Sequence, residues 1–196
     1  MAISLKDAIL ILKRGGVVGY PTETIYGIGS RIDNPGAISR LKKLKGRDRK
    51  KPLLVAFPSV SAASKYVFLS EKEKKFLRKI MPGPVSAIVR SRPGKIPKSV
   101  TGGGDFVGIR IPENATARRL ASSIGAIIST SANPSGDLPA LSAEEVEKRL
   151  GIFSVVSGKC KYKRASTLIE LSTGKILREG AYPKKRLLRK WKEAFS

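Results

Sequence analysis

Between Ser4 and Arg14 the apolar residues Leu5, Ala8, Ile9 and Leu12 recur at helical spacing. That spacing predicts an amphipathic helix capped by Ser4 and closed by Gly15-Gly16. The continuous apolar run Val17–Tyr20 then reads as a short buried strand, followed by a hydroxyl-rich segment, Pro21–Gly29. Asn34-Pro35 marks a helix start, with Ile38, Leu41 and Leu44 turned inward. Leu53–Phe57 reads as a strand, and Ser59 caps a brief helix running to Tyr66. Ser70 with Glu73, and later Ser142 with Glu145, have capping-box spacing and open helices that end near Ile80 and Leu150.

Strands are expected over Val85–Val89, Phe106–Ile111, Ala126–Ser129, Phe153–Val156, Thr167–Leu171 and Lys175–Arg178. Thr173-Gly174 supplies a hairpin turn between the last two. Ala115–Ile124 reads as a helix, and Pro93–Gly104 and Thr130–Asp137 as loops. The first of these loops is long enough to predict function or mobility. Near the C-terminus Leu187, Trp191 and Phe195 fall on one helical face, with lysines and arginines on the other. Crossover helices and hairpins together predict one mixed α/β domain over residues 1–182, with a basic amphipathic helix over 183–196 packed on it.

Composition narrows the chemistry. The 196 residues carry 39 basic and 15 acidic side chains, a formal charge of +24, which gathers anions such as nucleotides or RNA. The competing reading is a Lys- and Arg-rich surface serving solubility or heat tolerance. There is no histidine and one cysteine, Cys160, which removes Ser-His and Cys-His catalytic pairs, the commonest zinc sites and any intramolecular disulfide. No apolar run reaches a membrane span of roughly 18 residues, and the N-terminal charge order opposes a secretory signal. A cytoplasmic protein with no membrane partner is expected. An enzyme built this way must act through positioned charges and hydroxyls.

Five polar stretches lie at the ends of predicted elements. PTETIYGIG (21–29) places two threonines, a carboxylate and a phenol after a strand and before permissive glycines. That suits a small polar ligand held against backbone, or a corner whose hydroxyls satisfy their own turn. Lys45–Pro52 holds three lysines and two arginines before its proline, a phosphate clamp or a solvated helix end. Arg110, inside the apolar strand segment GIRIP, needs a buried partner: a ligand carboxylate, or an internal one such as Glu23. STSANPSG (129–136) offers hydroxyls and an amide, and Ser166 and Arg178 flank the last hairpin.

In order and wording, PTETIYGIG, KGR…KPLLV, PGPVSAIV, VGIRIP, STSANPSG, STLIEL and ILREG closely resemble the YrdC family of threonylcarbamoyl-AMP synthases, from about Val17 to Gly180. The resemblance implies the single-domain form of a YrdC-like α/β fold: a twisted, largely mixed β-sheet flanked by helices, with a positive central concavity. It implies that L-threonine, bicarbonate and ATP are joined to give threonylcarbamoyl-AMP and pyrophosphate, for modification of the adenosine beside the anticodon of certain tRNAs. Lys45 and Arg47 match the family's KxR pair facing ATP phosphates and bicarbonate, the catalytic positions. Thr22, Thr24, Tyr26, Arg110, Ser131 and Ser166 fall where the family holds threonine. Lys45, Arg47, Lys51, Asn133 and Arg178 fall on the ATP side. The same resemblance implies Mg²⁺ held mainly by phosphates and water, no protein metal site and no organic prosthetic group. Its implied partners are tRNA or RNA on the basic surface and a tRNA-threonylcarbamoyl-transferring complex.

One departure stands out. Members with the pattern NPLIVH carry Asn and His where this chain has Lys51 and Ala56, and their His contributes to threonine binding. Two other readings use the same residues. One is a tRNA- or double-stranded-RNA-binding module of the same fold without synthase activity. The other is a carbamoyl-transferring relative, against which stands the lack of zinc-finger or acylphosphatase-like segments.

Overall fold

The computed structural model describes residues 2–48 and 50–195; Arg49 of the basic segment and Ser196 of the C-terminal segment lie outside the described residues. The chain begins with helix α1 (Leu5–Lys13), whose Ser4 cap accepts the Asp7 amide at 3.1 Å. Strands β1 (Val18–Tyr20) and β2 (Gly27–Gly29) flank the PTET corner. Helix α2 (Pro35–Leu44) is capped by Asn34, whose side chain accepts from the Ala37 amide at 2.9 Å. Strand β3 (Leu54–Ala56) and helices α3 (Val60–Ala63) and α4 (Glu71–Ile80) follow. At α4 the Ser70–Glu73 capping box forms in both directions.

Then come β4 (Val85–Arg90), α5 (Lys98–Thr101), β5 (Phe106–Arg110), α6 (Ala115–Ile124), β6 (Ile127–Ile128) and β7 (Thr130–Ser131). The chain continues through α7 (Ala143–Leu150), β8 (Thr167–Glu170), β9 (Ile176–Arg178) and α8 (Lys184–Phe195).

The result is mixed α/β, with strands in two sheets rather than one. Six strands run β6-β3-β5-β4-β8-β9, with β3–β5 and β4–β8 parallel and the other pairs antiparallel. Three others run β1-β2-β7, all antiparallel. A bridge between Arg31 and Ile127 joins the two sheets at one corner. The second sheet escaped sequence analysis because β2 and β7 are only three and two residues long, too short for a periodic signal.

Alternation along the strands assigns the two faces of the larger sheet. Val55, Ala87, Val89, Val107, Ile109 and Ile169 point to the back, into the main core with Phe76 and Leu77 of α4 and Leu187 of α8. Trp191 and Phe195 stack 5.0 Å apart, and Phe195 meets Phe76 edge-on at 5.6 Å. Leu187, Trp191 and Phe195 of α8 thus pack against α4 and the main core. The opposite sheet face presents Leu54, Gly108, Arg110, Ile88 and Leu168 toward the small sheet, while Ala56 joins a second core with Tyr20, Leu12, Leu120 and Ile127.

Three expectations change. Pro93–Gly104 contains α5, and its Gly102 lies against the basic segment: Gly102 adopts φ +71°, and a Cβ there would sit 2.2 Å from the Lys50 carbonyl oxygen. Phe153–Val156 makes only a single bridge, Val155 to Gly19, and leaves Phe153 exposed. At α7 the Glu145 carboxylate accepts from the Leu141 amide at 3.0 Å, one residue before the Ser142 cap. Among the described residues, no helix is long and apolar enough to cross a membrane.

Candidate functional site

A half-open cavity of about 410 Å³ separates the two sheets. Its floor is the front face of the large sheet: Leu54, Ile88, Gly108 and Leu168. Gly108 keeps this floor low, since a Cβ would lie 2.6 Å from the Leu54 side chain. Thr22–Gly27, the 129–139 segment and the last hairpin form the walls.

The PTET wall is tightly satisfied. Thr22 Oγ1 donates to the Ile25 carbonyl at 2.7 Å and accepts from the Thr24 and Ile25 amides. Its one proton is thereby used, so in the 2.7 Å contact between the two hydroxyls Thr24 must donate. Arg110 in turn donates to Thr24 Oγ1 at 2.9 Å. The Tyr26 phenol donates to the Gly158 carbonyl at 2.9 Å and accepts the Gly158 amide at 2.8 Å. Thr22 and Tyr26 thus shape the wall with their hydroxyls already engaged, and burial raises the Tyr26 phenol above its ordinary pKa.

Arg110 has the internal partner that its buried position demands. Its guanidinium lies 2.6 Å from Glu23, with both side chains almost fully buried. The other Glu23 oxygen accepts the Asn114 amide at 3.2 Å, just ahead of α6. Arg110 also lines the cavity, and its buried Nε has no hydrogen-bond partner.

Arg47 and Arg178 line the same cavity. Arg47 donates to the Pro52 carbonyl at 2.8 Å and keeps a buried, unpartnered Nε. Arg178 donates to the Ser166 carbonyl at 3.1 Å and to Ser166 Oγ at 3.2 Å. That hydroxyl also contacts Ser86 Oγ at 2.8 Å. Burial lowers the pKa of both arginines, and the Arg110 charge adds to the effect at Arg178. Asn133 Nδ2 donates to the Pro134 and Asp137 carbonyls, leaving Oδ1 buried and unpartnered.

Of the residues singled out in the sequence, Thr22, Thr24, Tyr26, Arg47, Arg110, Ser131, Asn133, Ser166 and Arg178 all line this one cavity. Lys45 and Lys51 do not. Lys45 is buried behind the wall, donating to the carbonyls of Ser131 and Asn133, and burial followed by the Arg47 charge pushes its ammonium down to about 8. Lys51 is exposed and Ala56 is packed in the second core. Sequence analysis missed the floor and Ser86, which become visible only when the strands are in register. It also passed over Asp137, the one carboxylate among the cavity-lining residues. Among the described residues, no group of three or more His, Cys, Asp or Glu side chains is placed to hold a metal.

Known proteins share both sequence and fold. The Sua5/YciO/YrdC family model, described as telomere recombination, matches residues 10–180. A threonylcarbamoyl-AMP synthase of Thiobacillus denitrificans is 40% identical over 171 residues, 85% of this chain and 90% of that protein. A putative threonylcarbamoyl-AMP synthase of Methanocaldococcus jannaschii is 35% identical over 190 residues, 94% and 88% of the two chains. The structure of P. abyssi Sua5 complexed with L-threonine superposes with a TM-score of 0.88 at 25% identity, covering 97% of this chain and 59% of that one. Matched over most of its length by the family model and by relatives above 30% identity, the chain belongs to the Sua5/YciO/YrdC family.

Proposed function

We propose that this protein is an L-threonylcarbamoyladenylate synthase, forming threonylcarbamoyl-AMP and pyrophosphate from L-threonine, bicarbonate and ATP. The observation that carries the reading is the convergence of Arg47, Arg110 and Arg178 with the side chains of Thr24, Ser131, Ser166 and Asn133 on one cavity. Relatives named for this activity, and one structure holding L-threonine, agree with it.

The amino-acid carboxylate is placed at Arg110, with the ATP phosphates toward Arg47 and Arg178. The neutral threonine amine attacks the carbon of bicarbonate-derived carbon dioxide, forming the N–C bond of a carbamate and releasing a proton. A carbamate oxygen then bonds to the α-phosphorus as the bond to pyrophosphate breaks. Arg47 and Arg178 stabilise charge building on the leaving group, and the floor and PTET wall supply proximity and orientation. With its scarce carboxylates the cavity suits a Mg²⁺ carried on phosphate oxygens and water rather than by a protein cage. When bound, the ion would neutralise phosphate charge. Lys45 serves by holding the 131–133 backbone in place, and Lys51 adds positive charge outside the cavity.

The product is consumed in tRNA threonylcarbamoyl-adenosine modification, which places the protein in the cytoplasm beside a transferring complex. Exposed cations on α4 and α8, including Lys72, Lys75, Arg78, Lys184, Lys185 and Arg189, support contact with tRNA. Residues 1–182 form the catalytic body and 183–196 the appended helix. Such contact predicts salt-dependent tRNA binding.

With purified protein, pyrophosphate release is expected only when L-threonine, bicarbonate, ATP and Mg²⁺ are all present. Release that ignores threonine, or no release, would sink the synthase reading.

A further inference from the structure

Four charged side chains line the cavity: Arg47, Arg110, Arg178 and Asp137. They are not compensated alike. Arg110 is paired at 2.6 Å with Glu23, a carboxylate only 4% exposed. Arg47 and Arg178 reach only neutral acceptors, the Pro52 and Ser166 carbonyls and the Ser166 hydroxyl. Asp137 is exposed at the rim. One of the three arginines is therefore electrically balanced, and the other two are uncompensated guanidinium groups.

Glu23 is held firmly in this role. Its second oxygen takes the Asn114 amide, and its carbonyl accepts the Tyr162 amide at 2.8 Å. The residues on either side, Thr22 and Thr24, are fixed by the hydroxyl network of the wall. The pair leaves Arg110 able to meet an oxygen at the cavity face while cancelling its attraction at a distance.

We propose that Glu23 is a specificity-determining residue: by neutralising Arg110 it reserves that arginine for the carboxylate of a zwitterionic amino acid and confines phosphates to Arg47 and Arg178. The ligands named here rest on the functional reading above. The physical basis is discrimination by charge count. A zwitterion has no net charge and gains little from an uncompensated cation beyond its contact, whereas pyrophosphate or triphosphate gains strongly from each one. Without Glu23 all three arginines would attract phosphate, and the amino-acid end would be occupied by the wrong ligand. Such exclusion works by making the competitor's site worse, not the substrate's better.

The test uses the full chain, L-threonine and inorganic pyrophosphate, read by calorimetry. In the unmodified protein, saturating pyrophosphate should change threonine affinity by less than about twofold, and one pyrophosphate should bind per chain. In Glu23→Gln, which keeps an acceptor for Asn114, a second pyrophosphate should bind and weaken threonine at least roughly tenfold. Glu23→Asp, which keeps the charge, should restore the single-pyrophosphate pattern. Mutual exclusion of threonine and pyrophosphate in the unmodified protein would overturn the proposal, and that arm needs no variant to fold. So would a Glu23→Gln protein that still takes one pyrophosphate. The pyrophosphate count is read without threonine, so it separates the two readings. If the unmodified protein binds no threonine but Glu23→Gln gains a phosphate, the synthase reading fails while the charge partition stands.

Discussion

At one end of the cleft Arg110 sits against a buried carboxylate and a threonine hydroxyl, with Glu23 tied in turn to the start of α6. Elsewhere in the cleft Arg47 and Arg178 rest on backbone carbonyls and one serine; Arg47 Nε and Asn133 Oδ1 have no partner, and neither does Arg110 Nε. The same side chain has been installed in two ways. The first arginine belongs to the fold as much as to the site, because its removal strands a buried charge. The other two are held by neutral groups, so their charge remains for a ligand. The difference predicts that mutations at the two ends will separate stability from activity.

Arg110→Ala should have the largest effect, since it leaves Glu23 buried without its ion. Breaking such a pair from one side costs about 3–5 kcal/mol. The expected result is a strongly lowered melting temperature together with loss of threonine-dependent pyrophosphate release. A variant that melts like the parent would show that Glu23 relaxes to water and that the two ends are not built differently.

Arg47→Ala is the matching test at the other end. Among the described residues its side chain donates to a single acceptor, the Pro52 carbonyl, so stability should change by less than about 1 kcal/mol. Turnover should fall about 100-fold or more, the scale of losing one electrostatic contact to developing charge. Melting curves and pyrophosphate release on the same preparation decide this. Equal losses of stability at Arg47 and Arg110 would erase the contrast.

Gly102→Ala probes how the phosphate end is held. A Cβ there would collide with the Lys50 carbonyl and approach the Pro52 nitrogen at 3.2 Å, on a backbone with φ +71°. The strain is expected to cost about 1–3 kcal/mol and to displace the Pro52 carbonyl that anchors Arg47. Apparent ATP affinity should weaken while threonine affinity, measured by calorimetry, stays unchanged. A change confined to threonine would reverse the assignment of the two ends.

These contrasts also show what was legible in the chain. Helix caps at Ser4, Asn34 and Ser70 are local chemistry, and each cap forms with the residue three positions on. Nine candidate site residues reach one cavity because they lie at element ends, which motif order already marks. The direction in which Lys45 points was not legible, because it is settled by carbonyls at Ser131 and Asn133, more than eighty residues away. Nor could the sequence choose between a ligand and Glu23 for Arg110: both answer the same local demand for a counter-charge. The split into two sheets depended on strands of two or three residues, below the reach of any periodicity.

Lys45 supplies the smallest test, because it supports the phosphate end from behind without entering the cavity. Burial and the neighbouring Arg47 charge push its pKa from 10.5 to about 8. Below about pH 8 it is protonated in both folded and unfolded chains, and the folded protein bears the whole cost of burying the charge. Between about pH 8 and 10.5 the unfolded chain binds more protons than the folded one, so this group makes stability rise with pH. Lys45→Met removes that dependence, along with three hydrogen bonds whose loss gives a roughly constant offset. From about pH 7 to pH 9 the parent should therefore gain on the variant by about 1 kcal/mol, or roughly 2–4 °C in melting temperature. A gap that stays flat over this range would place the Lys45 ammonium in contact with water. The lysine would then belong with the phosphate-facing cations and not with the backbone clasp behind them.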